Sequence, residues 1–92
     1  ETSNDVDVEG NEIFGLGGTG IYARNVDNLD ITKKNIIRNL GGSGIYATRA
    51  KNINIDDNDI FALGKNGIHI TSFDNATINN NDINNTGEYG VI

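Results

Sequence analysis

The chain has no cysteine and no proline. Without cysteine no disulfide framework holds it together, and redox compartment leaves no mark on it. Without proline nothing interrupts a run of strand ladders, since proline is the residue that removes a ladder donor. Basic residues are scarce, with seven Lys and Arg against thirteen Asp and Glu, so the net charge is -6. That balance excludes the basic face that nucleic acid or an anionic membrane surface requires. No apolar run approaches a membrane span, so membrane insertion is not expected, and no charged-then-apolar leader opens the chain. Glu1 reads as the start of a mature or excised piece. Helices are excluded by spacing, because no interval between glycine or asparagine turns is long enough for an amphipathic helix. Only 36% of the 92 residues are apolar, too few for a substantial globular core.

What the chain does have is repetition, organised around the stretch from Asn35 to Asp57. Asn11, Asn35, Asn58 and Asn81 form a column, and two residues on so do Ile13, Ile37, Ile60 and Ile83. Leu16, Leu40, Leu63 and Thr86 follow, then Gly17, Gly41, Gly64 and Gly87, then Gly20, Gly44, Gly67 and Gly90. Ile21, Ile45, Ile68 and Val91 come next, with Ala23, Ala47 and Ile70 beyond them. Val6, Leu29, Ile53 and Ala76 make a further column, and Val8, Ile31, Ile55 and Ile78 another. Asn28, Asn52 and Asn75 are a second asparagine column. A period of 23 to 24 residues in so many columns marks a repeat architecture, in which neighbouring turns share one continuous core.

Within each repeat the apolar residues alternate with polar ones, as in Val6-Asp7-Val8, Leu29-Asp30-Ile31 and Ile21-Tyr22-Ala23. A period of two is strand. Each coil is expected to hold three short strands, near Asn11 to Ile13, after Gly20, and around Leu29 to Ile31. Like residues can lie above one another only if successive coils run parallel. The expected fold is therefore all-β: a right-handed parallel β-helix of about four coils with three short parallel sheets. With rungs about 4.8 Å apart the stack is roughly 20 Å tall.

The asparagines Asn11, Asn35, Asn58, Asn81, Asn28, Asn52 and Asn75 read as structural ladders. Asparagine tolerates the left-handed backbone of a sharp corner, and stacked amides hydrogen-bond along a column. The glycine columns are expected to supply positive φ or close approach. Ile31 to Asn35 is one step longer than Val8 to Asn11, so one residue within Thr32-Lys33-Lys34 must bulge outward at a corner.

Two motifs resemble chemistry and fail on context. Gly15-Leu16-Gly17-Gly18-Thr19-Gly20 spells a dinucleotide fingerprint, but strand rather than helix follows it. Gly17-Gly18-Thr19-Gly20 resembles a calcium-binding nonapeptide, yet Tyr22 stands where the aspartate belongs and the period is wrong.

Parity points Tyr22, Tyr46 and His69 outward in one column, with Arg24 beside it and Arg49 near the edge. An aromatic column on a flat sheet can stack on sugar rings while arginine or histidine meets carboxylates or hydroxyls. The simpler reading is that the rings stack on one another to stabilise the sheet. No carboxylate column stands beside His69 to orient it as a base. Asp7 under Asp30, and Asp59 under Asp82, are like charges one rung apart. A bound Ca²⁺ would relieve their repulsion, although solvated acids are the simpler account, because calcium needs six or more oxygens. Otherwise no cofactor is expected. N-x-T sequons occur at Asn75 and Asn84.

The N-x-I, G-x-x-G-I and N-x-x-I elements together resemble the parallel β-helix repeats of the pectin-lyase-like superfamily, and are most similar to those of mannuronan epimerase-type and NosD-like proteins. The resemblance covers the whole chain and implies the fold. For function it implies a range, from polysaccharide lyases and epimerases to tailspikes and adhesins. The catalytic motifs of that superfamily do not carry over: neither Asp-Pro-His-Glu nor Gly-His-Gly occurs, and Asp56-Asp57 lacks its companions.

Two functional expectations follow. The first is structural: a shaft, spacer or filament unit outside the cell or at its surface, without a catalytic site of its own. Its partners would be neighbouring β-helix coils or copies of itself end to end. Ile92 falls in the Tyr22 column and Glu1 in the Arg24 column, so the two ends are almost in phase for stacking or for continuation in a longer chain. The second is a carbohydrate-binding or lyase- or epimerase-like module that meets polysaccharide with Tyr22, Tyr46, His69, Arg24 and Arg49.

Overall fold

A computed structural model describes residues 3–15 and 17–92. Glu1 and Leu16, on which two of the expectations above touch, lie outside the described residues. Eight strands follow one another: β1 (Ser3–Glu9), β2 (Glu12–Phe14), β3 (Ile21–Thr32), β4 (Ile36–Leu40), β5 (Ile45–Asp56), β6 (Asp59–Leu63), β7 (Ile68–Asn79) and β8 (Asp82–Thr86). They form two four-stranded sheets, ordered β1-β3-β5-β7 and β2-β4-β6-β8, and every pairing is parallel. The columns read from the sequence are the registers of the ladders. Ile37 pairs with Ile13 and Ile60, Leu29 with Val6 and Ile53, and Tyr46 with Tyr22 and His69.

The sheet count differs from expectation, two rather than three. The strand after Gly20 and the strand around Leu29 are one strand of 12 residues, bent in the middle. The bend falls at Asn25, Arg49 and Ser72, which adopt left-handed φ of 59°, 55° and 53°. On either side the ladder continues, with Arg24 opposite Thr48 and Val26 opposite Ala50. A single left-handed residue turns the wall without costing the flanking residues their hydrogen bonds, so the corner folds one sheet instead of separating two. Four stacked strands span three intervals, so the winding makes about three full turns rather than four.

The asparagine columns are not the left-handed positions either. At the second corner positive φ belongs to the residue just before each inner asparagine: Gly10, Lys34, Asp57 and Asn80, at 61°, 65°, 61° and 54°. Lys33 is left-handed as well, at 61°, and both lysines are exposed, so the extra residue does bulge outward there. The bulge is tethered by Lys33 Nζ lying 3.4 Å from Glu9. In the glycine columns close approach is what matters. A Cβ on Gly41 would lie 2.5 Å from the Gly17 carbonyl oxygen, and one on Gly44 would meet both the Gly67 oxygen and Ile60 Cγ2 at 2.8 Å.

Inside the tube Leu29, Ile31, Ile37, Ile45, Ile55, Ile60 and Ile68 are fully buried, which continues the core from rung to rung. Val26 and Ala50 join them just past the corner, a column the strand alternation alone did not disclose. The left-handed residue interrupts the period of two, so the inward positions run Ala23, Val26, Leu29, Ile31.

Candidate functional site

The two asparagine columns build two ladders in different surroundings. In the inner one, Asn35 and Asn58 are 0% and 1% exposed. The Asn35 main-chain N–H and side-chain amide donate to Asn58 Oδ1 at 3.2 and 2.8 Å. Asn58 donates in the same way to Asn81 Oδ1 at 3.0 and 2.9 Å, and Asn11 to Asn35 Oδ1 at 2.8 and 3.4 Å. The amides also hold the corner from within, since Asn35 donates to the carbonyls of Val8 and Thr32, and Asn58 to those of Ile31 and Asp56. Among the described residues no buried side-chain polar atom lacks a partner, and this ladder is the main reason.

The outer ladder is exposed and runs the other way. Asn75 donates to Asn52 Oδ1 at 3.1 Å, Asn52 to Asn28 Oδ1 at 2.9 Å, and Asn28 to Asp5 Oδ1 at 2.7 Å. It floors a trough of about 540 Å³, whose other wall carries Asp7, Asp30, Asn54 and Thr77. Asp7 and Asp30 are register partners there, whereas Asp59 and Asp82 are partners on the other sheet. The fold thus keeps the four acids as two separate pairs. Among the described residues no cluster of three or more His, Cys, Asp or Glu side chains is arranged to hold a metal ion.

The aromatic column stands at the beginning of the long strands, just past the glycine turn. Tyr22 is 63% exposed, Tyr46 and His69 are half-buried. The Tyr46 and His69 rings stack, with centroids 4.5 Å apart and planes 28° apart, while Tyr22 tilts against Tyr46 at 5.3 Å and 56°. Beside the stacked pair lies a hollow of about 300 Å³ lined by Thr19, Ser43, Lys65, Asn66 and Glu88. Arg24 and Arg49 do not line it. Arg24 pairs with Thr48, and Arg49 occupies the left-handed corner.

Sequence reasoning missed the polar turn residues of this hollow. A signal was present: Thr19, Ser43 and Asn66 repeat three residues ahead of Tyr22, Tyr46 and His69. Ser43 and Asn66 are buried because they form a third ladder, with Asn66 N–H donating to Ser43 Oγ at 3.3 Å and Tyr89 N–H to Asn66 Oδ1 at 3.0 Å. On the second sheet, Arg38 lies over the Phe14 ring at 4.5 Å and pairs with Glu12 at 3.0 Å, clamping the first two rungs together.

The hollow brings together stacked rings, two hydroxyls, one amide, one ammonium and one carboxylate. His69 has the Tyr46 ring at its face, and Glu88 is the carboxylate that shares its hollow. Comparison with curated proteins and with solved structures returns no match. A family described as right-handed β-helix region matches residues 1–92, which carries the fold and does not single out the epimerase-type or NosD-like members. Parallel ladders, a shared apolar core and this match over the full length agree, and the chain belongs to the right-handed β-helix family.

Proposed function

We propose that this chain is a structural β-helix unit, a shaft or spacer, whose ends stack on copies of itself. The observation that carries the reading is the polarity of the inner asparagine ladder. Each member donates to the Oδ1 of the one a rung above, so Asn11 presents its Oδ1 below the first rung and Asn81 its N–H above the last. A second copy set on the last rung in the same register brings Asn11 over Asn81, acceptor to donor. The apolar columns agree with that placement: Val6, Val8 and Ile13 at one end would cover Ala76, Ile78 and Ile83 at the other, all of them partly buried against the core. Val91 and Ile92 restart the long strand alongside Ile68, with Ile92 N–H donating to the Ile68 oxygen at 2.8 Å. The rest of that rung has the register of a partner's β1. Edges of this kind pair when nothing covers them. Sedimentation velocity over a concentration series tests the reading. Rod-like oligomers are expected, and a species that stays monomeric at every concentration refutes it.

A second reading rests on the Tyr46 and His69 stack beside its polar hollow, which suits a sugar ring laid against the edge of the stacked rings with its hydroxyls toward Lys65 and Glu88. A glycan array followed by Tyr46→Ala on any hit decides it. A loss of at least about tenfold is expected, and unchanged binding removes this face.

A further inference from the structure

We infer that the end-to-end joint is gated by charge: Asp5 and Glu12 on the first rung oppose stacking onto Asn75 and Asp82 of a second copy until their carboxylates are neutralised. The inference rests on the stacking reading above and adds its regulation.

The two ladders run in opposite senses. The inner ladder donates upward and is complementary at the joint. The outer ladder donates downward, from Asn75 to Asn52 to Asn28 to Asp5. Were its lowest member another asparagine, that amide would donate to the Asn75 oxygen of the copy below, and the ladder would continue unbroken. An aspartate stands there instead. Its carboxylate accepts from Asn28 and has no N–H to pass on, so at the joint a charged acceptor meets the Asn75 oxygen, another acceptor. At this exposed position water relieves part of the clash, so it opposes stacking by about as much as one exposed hydrogen bond contributes.

The trough itself supplies no cation, and Lys51, next to Asn52 on β5, is paired with Asp27 at 3.7 Å. Asp7 and Asp30 share the trough with Asp5, and no lysine or arginine lines it. On β7 the residue flanking Asn75 is Asp74. On the second sheet the same register brings Glu12 over Asp82, which already sits over Asp59. Three carboxylates would then share one outward column, with Arg38 on Glu12 as the counter-charge. Two unit charges one rung apart in a water-like medium weaken association up to about fourfold, and the Arg38 counter-charge lowers that for Glu12.

Sedimentation velocity at neutral pH and low salt, on the wild type, Asp5→Asn, Asp5→Ala, Glu12→Gln and the double variant Asp5→Asn/Glu12→Gln, tests the gate. Circular dichroism checks that each is folded. Glu12→Gln, which removes a charge facing Asp82, is expected to tighten self-association up to about fourfold; Asp5→Asn, which replaces an acceptor–acceptor contact by a hydrogen bond across the joint, is expected to tighten it about two- to tenfold and to exceed Asp5→Ala. Added salt should tighten the wild type more than the double variant, which has two fewer acids but stays net negative. If the wild type associates as tightly as the double variant, the gate is wrong and stacking stands. If no variant associates, stacking and gate fall together.

Discussion

Replacing Asn58 by alanine isolates what the inner ladder contributes. The side chain is 1% exposed and makes five contacts: it donates to the Ile31 and Asp56 carbonyls and to Asn81 Oδ1, and accepts from the main chain and the amide of Asn35. Alanine leaves the Ile31 carbonyl and the Asn35 N–H facing a dry interior with no water to replace the amide. Each orphaned group costs about 1–3 kcal/mol, so a loss of about 3–5 kcal/mol is expected. That is a large fraction of the roughly 5–14 kcal/mol typical of a chain this long. Asn52 provides the comparison, because it makes equivalent amide contacts at 2.9 and 3.1 Å on the exposed face. Water can replace those, so Asn52→Ala should cost about 0.5–1 kcal/mol. Urea unfolding followed by circular dichroism measures both. A loss below about 1 kcal/mol for Asn58→Ala, or equal losses for the two variants, would refute the claim that burial sets the worth of a ladder asparagine.

Two further outcomes follow from the backbone. Gly41→Ala should lower stability by at least about 2 kcal/mol, because its Cβ would press on the Gly17 carbonyl and push neighbouring rungs away from each other. Gly17→Ala, with nothing within 4 Å of the added carbon, should change it by less than about 0.5 kcal/mol, and thermal melts of the pair suffice to check this. Arg49 carries a left-handed φ of 55° between Asn25 and Ser72 in the same corner column. Arg49→Asn should therefore raise stability by about 0.5 kcal/mol in urea titrations, since asparagine bears that conformation more easily. A fall in stability would mean that the guanidinium contributes more than its strained backbone costs.

Much of the fold was legible because a solenoid writes its contacts into its period. Ile37 faces Ile13 and Ile60 for the same reason that they lie 24 and 23 residues away, and each pair is a register pair of the ladder. The extra residue at Lys33 and Lys34 was legible for the same reason, since a column that resumes on time forces the insertion outward. The candidate site was less legible. Tyr46 and His69 stood out by type, but Ser43 and Asn66 resembled ordinary turn residues, and their burial depends on neighbouring rungs capping them.

The amino-acid order alone determined which side chains are vertical neighbours and that the coils run parallel, because only parallel stacking keeps four asparagines in line. Tertiary structure decided which asparagine column lies inside the wall and which outside, and that two strand segments join into one bent sheet. The reason is physical: a left-handed residue breaks the alternation of strand side chains, and it falls at Asn25, Arg49, Ser72, Lys34, Asp57 and Asn80, residues with no common type. Their conformation is imposed by the rungs above and below them, so it becomes visible only when the rungs are stacked.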